Sequence, residues 1–190
     1  MPRPEAEGGR EPIHARTIEV RGYKRADGLF DVEAHLVDTK TFDFPVGGGM
    51  RKAGEPIHSM WLRITVDRTA TIVGAEAQMD AVPYVEHCGA IAPAYERLVG
   101  LAIGPGYLRQ LKELFGGIHG CTHVTELAGA VATGVFQTLA GQRVLAPDRK
   151  PPQLDRCHAL ATTGPAVAKF YPRWYRGADP IAPADEADHH

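Results

Sequence analysis

Ile57-His58-Ser59-Met60-Trp61-Leu62-Arg63-Ile64-Thr65-Val66-Asp67 alternates throughout, with His58, Met60, Leu62, Ile64 and Val66 on one side of the run. A period of two is that of a strand with one face buried and the other wet. A second run, Thr71 to Met79, follows after the short turn Asp67 to Ala70, and two more precede it. Leu29 to Lys40 places Phe30, Val32, Ala34 and Leu36 on one face and Asp31, Glu33 and His35 on the other, and Thr17 to Tyr23 alternates as well. Ala26-Asp27-Gly28 between them is a hairpin turn, since aspartate and glycine supply its backbone geometry. Thr41 to Pro56 contains three consecutive glycines and reads as a loop. The first half of the chain is thus expected to be an antiparallel β-meander.

Beyond Pro83 the spacing becomes helical. Ala90, Ile91, Ala94, Leu98 and Leu101 fit a helix that begins near Cys88 and ends at Gly100 or Gly104. Tyr107 to Phe115, with Leu108, Leu111 and Leu114, gives a second helix closed by Gly116-Gly117. Thr122 to Leu139 is a longer one, with Val124, Leu127, Val131, Val135 and Leu139 as its buried stripe. Asp148 to Pro152 is a proline-marked linker, and Leu154 to Phe170 supplies a last helix under Cys157. Strands first and helices second make an α+β domain, with the helices on one face of the sheet.

The 190 residues, 44% of them apolar, suit one domain, drawn here over residues 16–176 with flexible tails at 1–15 and 177–190. His189 and His190 fit a tag remnant. A formal charge of -2 without a clustered basic stripe argues against nucleic acid. The charged start of the chain and the short apolar stretches argue against a membrane and for a cytoplasmic protein. A homo-oligomer is left open.

Three cysteines stand where helices are expected to begin, each beside a histidine: Glu86-His87-Cys88-Gly89, His119-Gly120-Cys121-Thr122-His123 and Arg156-Cys157-His158. A helix N-terminus lowers a thiol's pKa and favours the thiolate that metals need. No CxxC pair occurs, so any metal site must be assembled by the fold; the alternative is three buried, inert cysteines. His123 and Glu126, three residues apart, share a helix face and are the candidate catalytic pair, as ligand, supporting partner or general base. His87 is expected to face solvent, and Asp38 and Lys40 to lie on a solvated sheet face rather than line a pocket. Trp61, Tyr84, Tyr95 and Tyr107 either border an apolar cavity or belong to the core, the second being the commoner use of such residues. Gly104-Pro105-Gly106 lacks the strand and lysine of a phosphate loop, and neither Gly-x-Ser-x-Gly nor His-Glu-x-x-His is present.

The order of parts, a two-stranded hairpin, a Cys-Gly helix start, a short helix and a second cysteine opening a long helix, resembles the NifU-like iron-sulfur scaffold family between residues 57 and 139. Met60 to Asp67 is similar to that family's central strand, and Cys88-Gly89-Ala90-Ile91-Ala92 to its Gly-Cys-Gly-Ser-Ala-Ile-Ala helix start. The resemblance implies a NifU-like fold with an extra N-terminal hairpin, and Cys88 and Cys121 as ligands of an iron-sulfur cluster or Zn2+. Where the family has its first cysteine, this chain has Glu55-Pro56-Ile57-His58, which makes His58 the third candidate ligand; its strand parity points it toward the helices. Cys157 would complete a Cys3His set. The chain carries Phe115-Gly116-Gly117-Ile118-His119 in place of the family's Leu-Pro-Pro-Val-Lys chaperone segment.

Over nearly its whole length the chain also resembles a bacterial domain-of-unknown-function family, number 2889 in its series. Gly54 to His58, Met60 to Arg63, Ala90 to Tyr95, Gly120 to His123 and Cys157 to Leu160 carry that resemblance. Together these features lead to a metal-dependent enzyme acting on a small-molecule substrate, as a lyase or hydrolase, with a metal at His58, Cys88, Cys121 and Cys157. The alternative is a non-enzymatic iron-sulfur or sulfur carrier, and a third is a metal that only staples the fold.

Overall fold

The computed structural model describes residues 8–142 and 148–177. The chain divides into two compact units, Met1–Arg143 and Val144–His190. Of the tails expected at 1–15 and 177–190, residues 1–7 and 178–190, the terminal histidines included, lie outside the described residues.

The first unit is α+β, with antiparallel strands followed by helices. Its sheet contains β1 (His14–Lys24), β2 (Phe30–Lys40), β5 (Pro56–Val66) and β6 (Ile72–Ala81) in the order β1-β2-β5-β6. The meander is interrupted once. Within the expected loop, β3 (Phe44–Val46) and β4 (Gly49–Arg51) pair as a small hairpin around Gly47-Gly48. β1 begins earlier than the alternation suggested, so His14 and Ala15 belong to the sheet and not to a tail. Gly28, at φ 86°, takes the left-handed conformation that the β1–β2 turn requires.

Phe30, Val32, Ala34 and Leu36 of β2 and Met60, Leu62, Ile64 and Val66 of β5 are buried on one face, as their parity dictates. Onto that face packs α3 (Thr122–Leu139) through Val124, Leu127, Val131, Val135 and Leu139. α2 (Tyr107–Phe115) lies beside it, and the Tyr107 hydroxyl donates to the Ala128 carbonyl at 3.0 Å. Burial pushes the Tyr107 phenol up to about 12. The helix expected from Cys88 is different in kind: α1 (Val85–Cys88) is a single turn, and Gly89–Leu98 continues as a 3-10 helix. Pro93 inside it has no N–H for an i to i-4 bond and its ring crowds the preceding turn, which disfavours a regular α-helix there.

Two glycines of α3 show how closely it lies on the sheet. A Cβ at Gly134 would stand 2.6 Å from Val20 Cγ1 and 3.1 Å from Val32 Cγ1, whereas one at Gly129 meets only Leu108 Cδ2 at 3.9 Å. Gly134→Leu is therefore expected to destabilise by about 2 kcal/mol or more through overpacking. Gly129→Ala should stabilise by about 0.5–1 kcal/mol through helix propensity. Urea unfolding of the two variants checks both signs.

The second unit contains a 3-10 turn at His158–Leu160, α4 (Pro165–Phe170) and a 3-10 turn at Pro172–Trp174. The continuous helix expected from Leu154 does not form. Gly164 is extended and Pro165 occupies the first turn of α4, where its missing N–H costs nothing. Asp155 instead organises the loop by accepting from the Thr162 N–H at 2.7 Å.

Candidate metal centre

One rung of the sheet builds the site. Arg16 of β1 pairs across with Asp38 of β2, and Asp38 pairs across with His58 of β5. Cross-strand partners share a face. This rung continues the Leu36–Met60 rung toward the end of β2, so its side chains lie on the helix side of the sheet. Between Asp38 and Thr39 the register slips by a bulge, a device that re-aims side chains at the end of a ladder.

The start of α3 closes the rung from above. Cys121 is its N-cap residue, and Tyr95, fully buried and stacked on Phe115, holds that residue in place. The Cys121 N–H donates to the Tyr95 hydroxyl at 2.9 Å, which in turn bonds the Cys121 carbonyl at 2.9 Å. His123 and Glu126 then project from the first turns toward the sheet. The His123 and His58 rings are 3.8 Å apart between centroids.

Asp38 is the centre of the cluster, only 3% exposed and fully partnered. The Arg16 guanidinium donates to both of its oxygens, Nε to Oδ1 at 2.8 Å and Nη2 to Oδ2 at 2.7 Å. His14 Nε2 lies 2.9 Å from Oδ1, His58 Nδ1 3.1 Å from Oδ2 and His123 Nε2 3.6 Å from Oδ2. The remaining Arg16 nitrogen, Nη1, donates to Glu126 Oε2 and so links the helix to the strand.

The electrostatics prepare each group for ligation. Burial alone would raise the Asp38 pKa, but the bonds from Arg16 and His14 and the Arg16 charge outweigh it and hold the carboxyl well below its usual range. Burial lowers the pKa of His58, reinforced by the neighbouring His123 and opposed by Asp38. His123 is lowered by burial and by Arg16, against the pull of Asp38 and Glu126. Near neutral pH the cluster therefore offers an ionised carboxylate and two uncharged imidazoles, the forms that bind cations.

Among the described residues, Asp38, His58 and His123 form the group whose candidate ligand atoms all lie within 4.8 Å of one another. Neither Cys88 nor Cys121 belongs to it. Cys121 sits at its border, with Sγ 3.9 Å from His123 Nδ1 and 3.8 Å from Met60 Sδ. Cys88, packed against the hydrophobic core, is both the last residue of α1 and the N-cap of the 3-10 helix Gly89–Leu98. Cys157 is exposed in the second unit, ahead of a three-residue 3-10 turn. Glu126, half-exposed, is held by Arg16.

Two expectations are corrected. Asp38 is not on a solvated face: it continues the buried row Phe30, Val32, Ala34, Leu36 by one more step of two. That parity is the available signal, whereas Arg16 and His14 lie ahead of Thr17, where the alternating pattern begins, in the part of β1 that periodicity does not mark. Trp61 is not a core residue: it is exposed on the sheet face opposite His123, stacked on His35 at 3.8 Å and bonded to Asp80. Tyr95 and Tyr107 are core residues and Tyr84 is exposed.

The family model described as Protein of unknown function (DUF2889) matches residues 14–137. The chain belongs to this family. The DUF2889 match starts at His14 and runs almost to the end of α3, so it encloses every member of the cluster, His14, Arg16, Asp38, His58, His123 and Glu126, and leaves Cys157 outside. No curated protein and no solved structure matches the chain, and the likeness to the NifU-like scaffold rests on sequence motifs alone. Among the described residues, no helix is long and apolar enough to cross a membrane.

Proposed function

We propose that this protein is a metal-dependent enzyme of lyase or hydrolase type acting on a small molecule, with one divalent cation held by Asp38, His58 and His123. The observation that carries the reading is the convergence of two neutral imidazoles and one ionised carboxylate within 4.8 Å, at a place where His58 and His123 keep part of their surface open. Nitrogen and oxygen donors of this kind suit a mononuclear ion such as Zn2+ better than an iron-sulfur cluster, whose thiolates would have to come together. Three protein ligands leave coordination positions for substrate, and the bound ion would supply Lewis acidity there.

The surrounding residues have distinct tasks. Arg16 orients the Asp38 carboxylate through two parallel bonds, and Tyr95 fixes the helix turn that presents His123. Glu126, 40% exposed beside Arg16, would accept or return a proton. The carrier alternative would need sulfur ligands accessible to a partner protein, and Cys88 is packed on the core instead.

Zinc titration of the metal-free protein tests this. His58→Ala and His123→Ala are each expected to weaken binding more than about 100-fold, beyond the usual cost of losing a supporting residue. Cys88→Ser should bind zinc as the wild type does. Unchanged affinity in both histidine variants, with loss in Cys88→Ser, would overturn the assignment in favour of a thiolate site.

A further inference from the structure

We propose that the substrate of this site is a carboxylate-bearing small molecule and that Arg16 is the residue that recognises it; the inference rests on the cation reading above.

Asp38 Oδ2 accepts from Arg16 Nη2 at 2.7 Å, and it is also the oxygen faced by His58 Nδ1 at 3.1 Å and His123 Nε2 at 3.6 Å. A cation held by the trio would bind that oxygen, whose other lone pair keeps the bond from Nη2, as metal-ligating carboxylates commonly do. Arg16 stays in place, because Nε also donates to Oδ1 at 2.8 Å and Nη1 to Glu126. A guanidinium carries five N–H groups, and these three bonds take one from each nitrogen. A second N–H on Nη2 and another on Nη1 therefore stand beside the ion's position, on a side chain 32% exposed.

Charge points the same way. Asp38 and Glu126 are two carboxylates, and Arg16 with a divalent ion outnumbers them by one positive charge, the imidazoles that ligate the ion being neutral. A half-buried excess of positive charge favours a monoanion over a neutral ligand. A carboxylate fits both halves of the arrangement, one oxygen toward the ion and the other accepting from Nη2, the planar match at which arginine excels. His14, 40% exposed and 2.9 Å from Oδ1, flanks the same carboxylate. An amide of the same shape presents one acceptor and no charge.

The test uses Co2+-loaded full-length protein, whose visible absorption reports ligands entering the metal's coordination sphere, with benzoate and benzamide as probes. Benzoate is expected to alter the spectrum and to bind at least about tenfold more tightly than benzamide. Arg16→Gln should abolish that preference and Arg16→Lys should keep part of it. Glu126→Gln removes one anchor of Arg16 together with a negative charge, so benzoate affinity should rise; this variant leaves the Arg16–Asp38 pair intact. Equal binding of benzoate and benzamide by the wild type would overturn the proposal, as would a wild-type benzoate preference in Arg16→Gln. Failure of the wild type to take up Co2+ would instead defeat the cation reading, and the carboxylate with it.

Discussion

Asp38→Ala is expected to abolish cation binding and to lower the thermal midpoint by about 5–10 °C. Both effects come from one side chain, and they separate in a second variant. Removing a buried carboxylate strands its partners, and breaking a buried ion pair in this way typically costs about 3–5 kcal/mol. Here the figure should fall to about 2–3 kcal/mol, because Arg16 retains Glu126 and a third of its surface is open. Asp38→Asn fills the same volume and still accepts a bond from Arg16, so it should recover much of the stability. It should not recover the cation, since the amide oxygen carries no charge to offset a divalent ion. Calorimetry paired with zinc titration reads both quantities. A metal-free Asp38→Ala protein as stable as the wild type would show that the cluster is not a structural keystone, and wild-type zinc affinity in Asp38→Asn would remove the residue from the ligand set.

How much of this was legible beforehand depends on which physical signal each element carries. α2 and α3 were bounded correctly at Tyr107, Phe115, Thr122 and Leu139, because an apolar stripe of helical period ended by glycine or a cap is a local property of the chain. β2 and β5 were legible for the same reason, each having one dry face. The segment after Cys88 kept its position but not its type, since spacing alone does not register that Pro93 removes a backbone donor. The β3–β4 hairpin has almost no buried side chains, so it left no pattern to detect.

The site was half legible. His123 and Glu126 are read from helix spacing and His58 from the family resemblance together with its strand parity, and all three stand in or beside the cluster. The cysteines carry a signal of reactivity, which says what a residue can do and nothing about where the fold puts it. Asp38, Arg16 and His14 come together through strand register, with Arg16 and Asp38 separated by 22 residues and meeting only because β1 and β2 are in phase. A charged residue extending a buried apolar row is the trace such a site leaves in sequence, and here it belonged to Asp38.

Acidification provides the second large effect, and its sign follows from the histidines. In the folded protein His58 and His123 have pKa values below the ordinary one, chiefly through burial. In the unfolded chain they titrate near about 6.5. Below that pH the unfolded state takes up protons that the folded state refuses, so unfolding becomes more favourable as pH falls. The loss ends once the folded imidazoles also protonate. Asp38 acts in the same direction at lower pH: its carboxyl is held below the usual range, so its contribution is complete above about 4 and is lost as pH falls toward its folded value. The other groups facing the imidazoles, Arg16 and Glu126, are a fixed positive charge that opposes protonation of both and a carboxylate that favours it at His123. The metal-free wild type should therefore lose thermal stability steadily between pH 7 and 5, and a His58→Gln/His123→Gln variant should show a flatter profile over that interval. Zinc retention follows a different course. Protons compete for each imidazole only below its own folded pKa, so release should begin at a lower pH than an ordinary histidine site would show. Midpoints that do not change between pH 7 and 5, or a double variant with the same slope as the wild type, would show that these two imidazoles titrate as exposed ones and that the buried cluster does not form in solution.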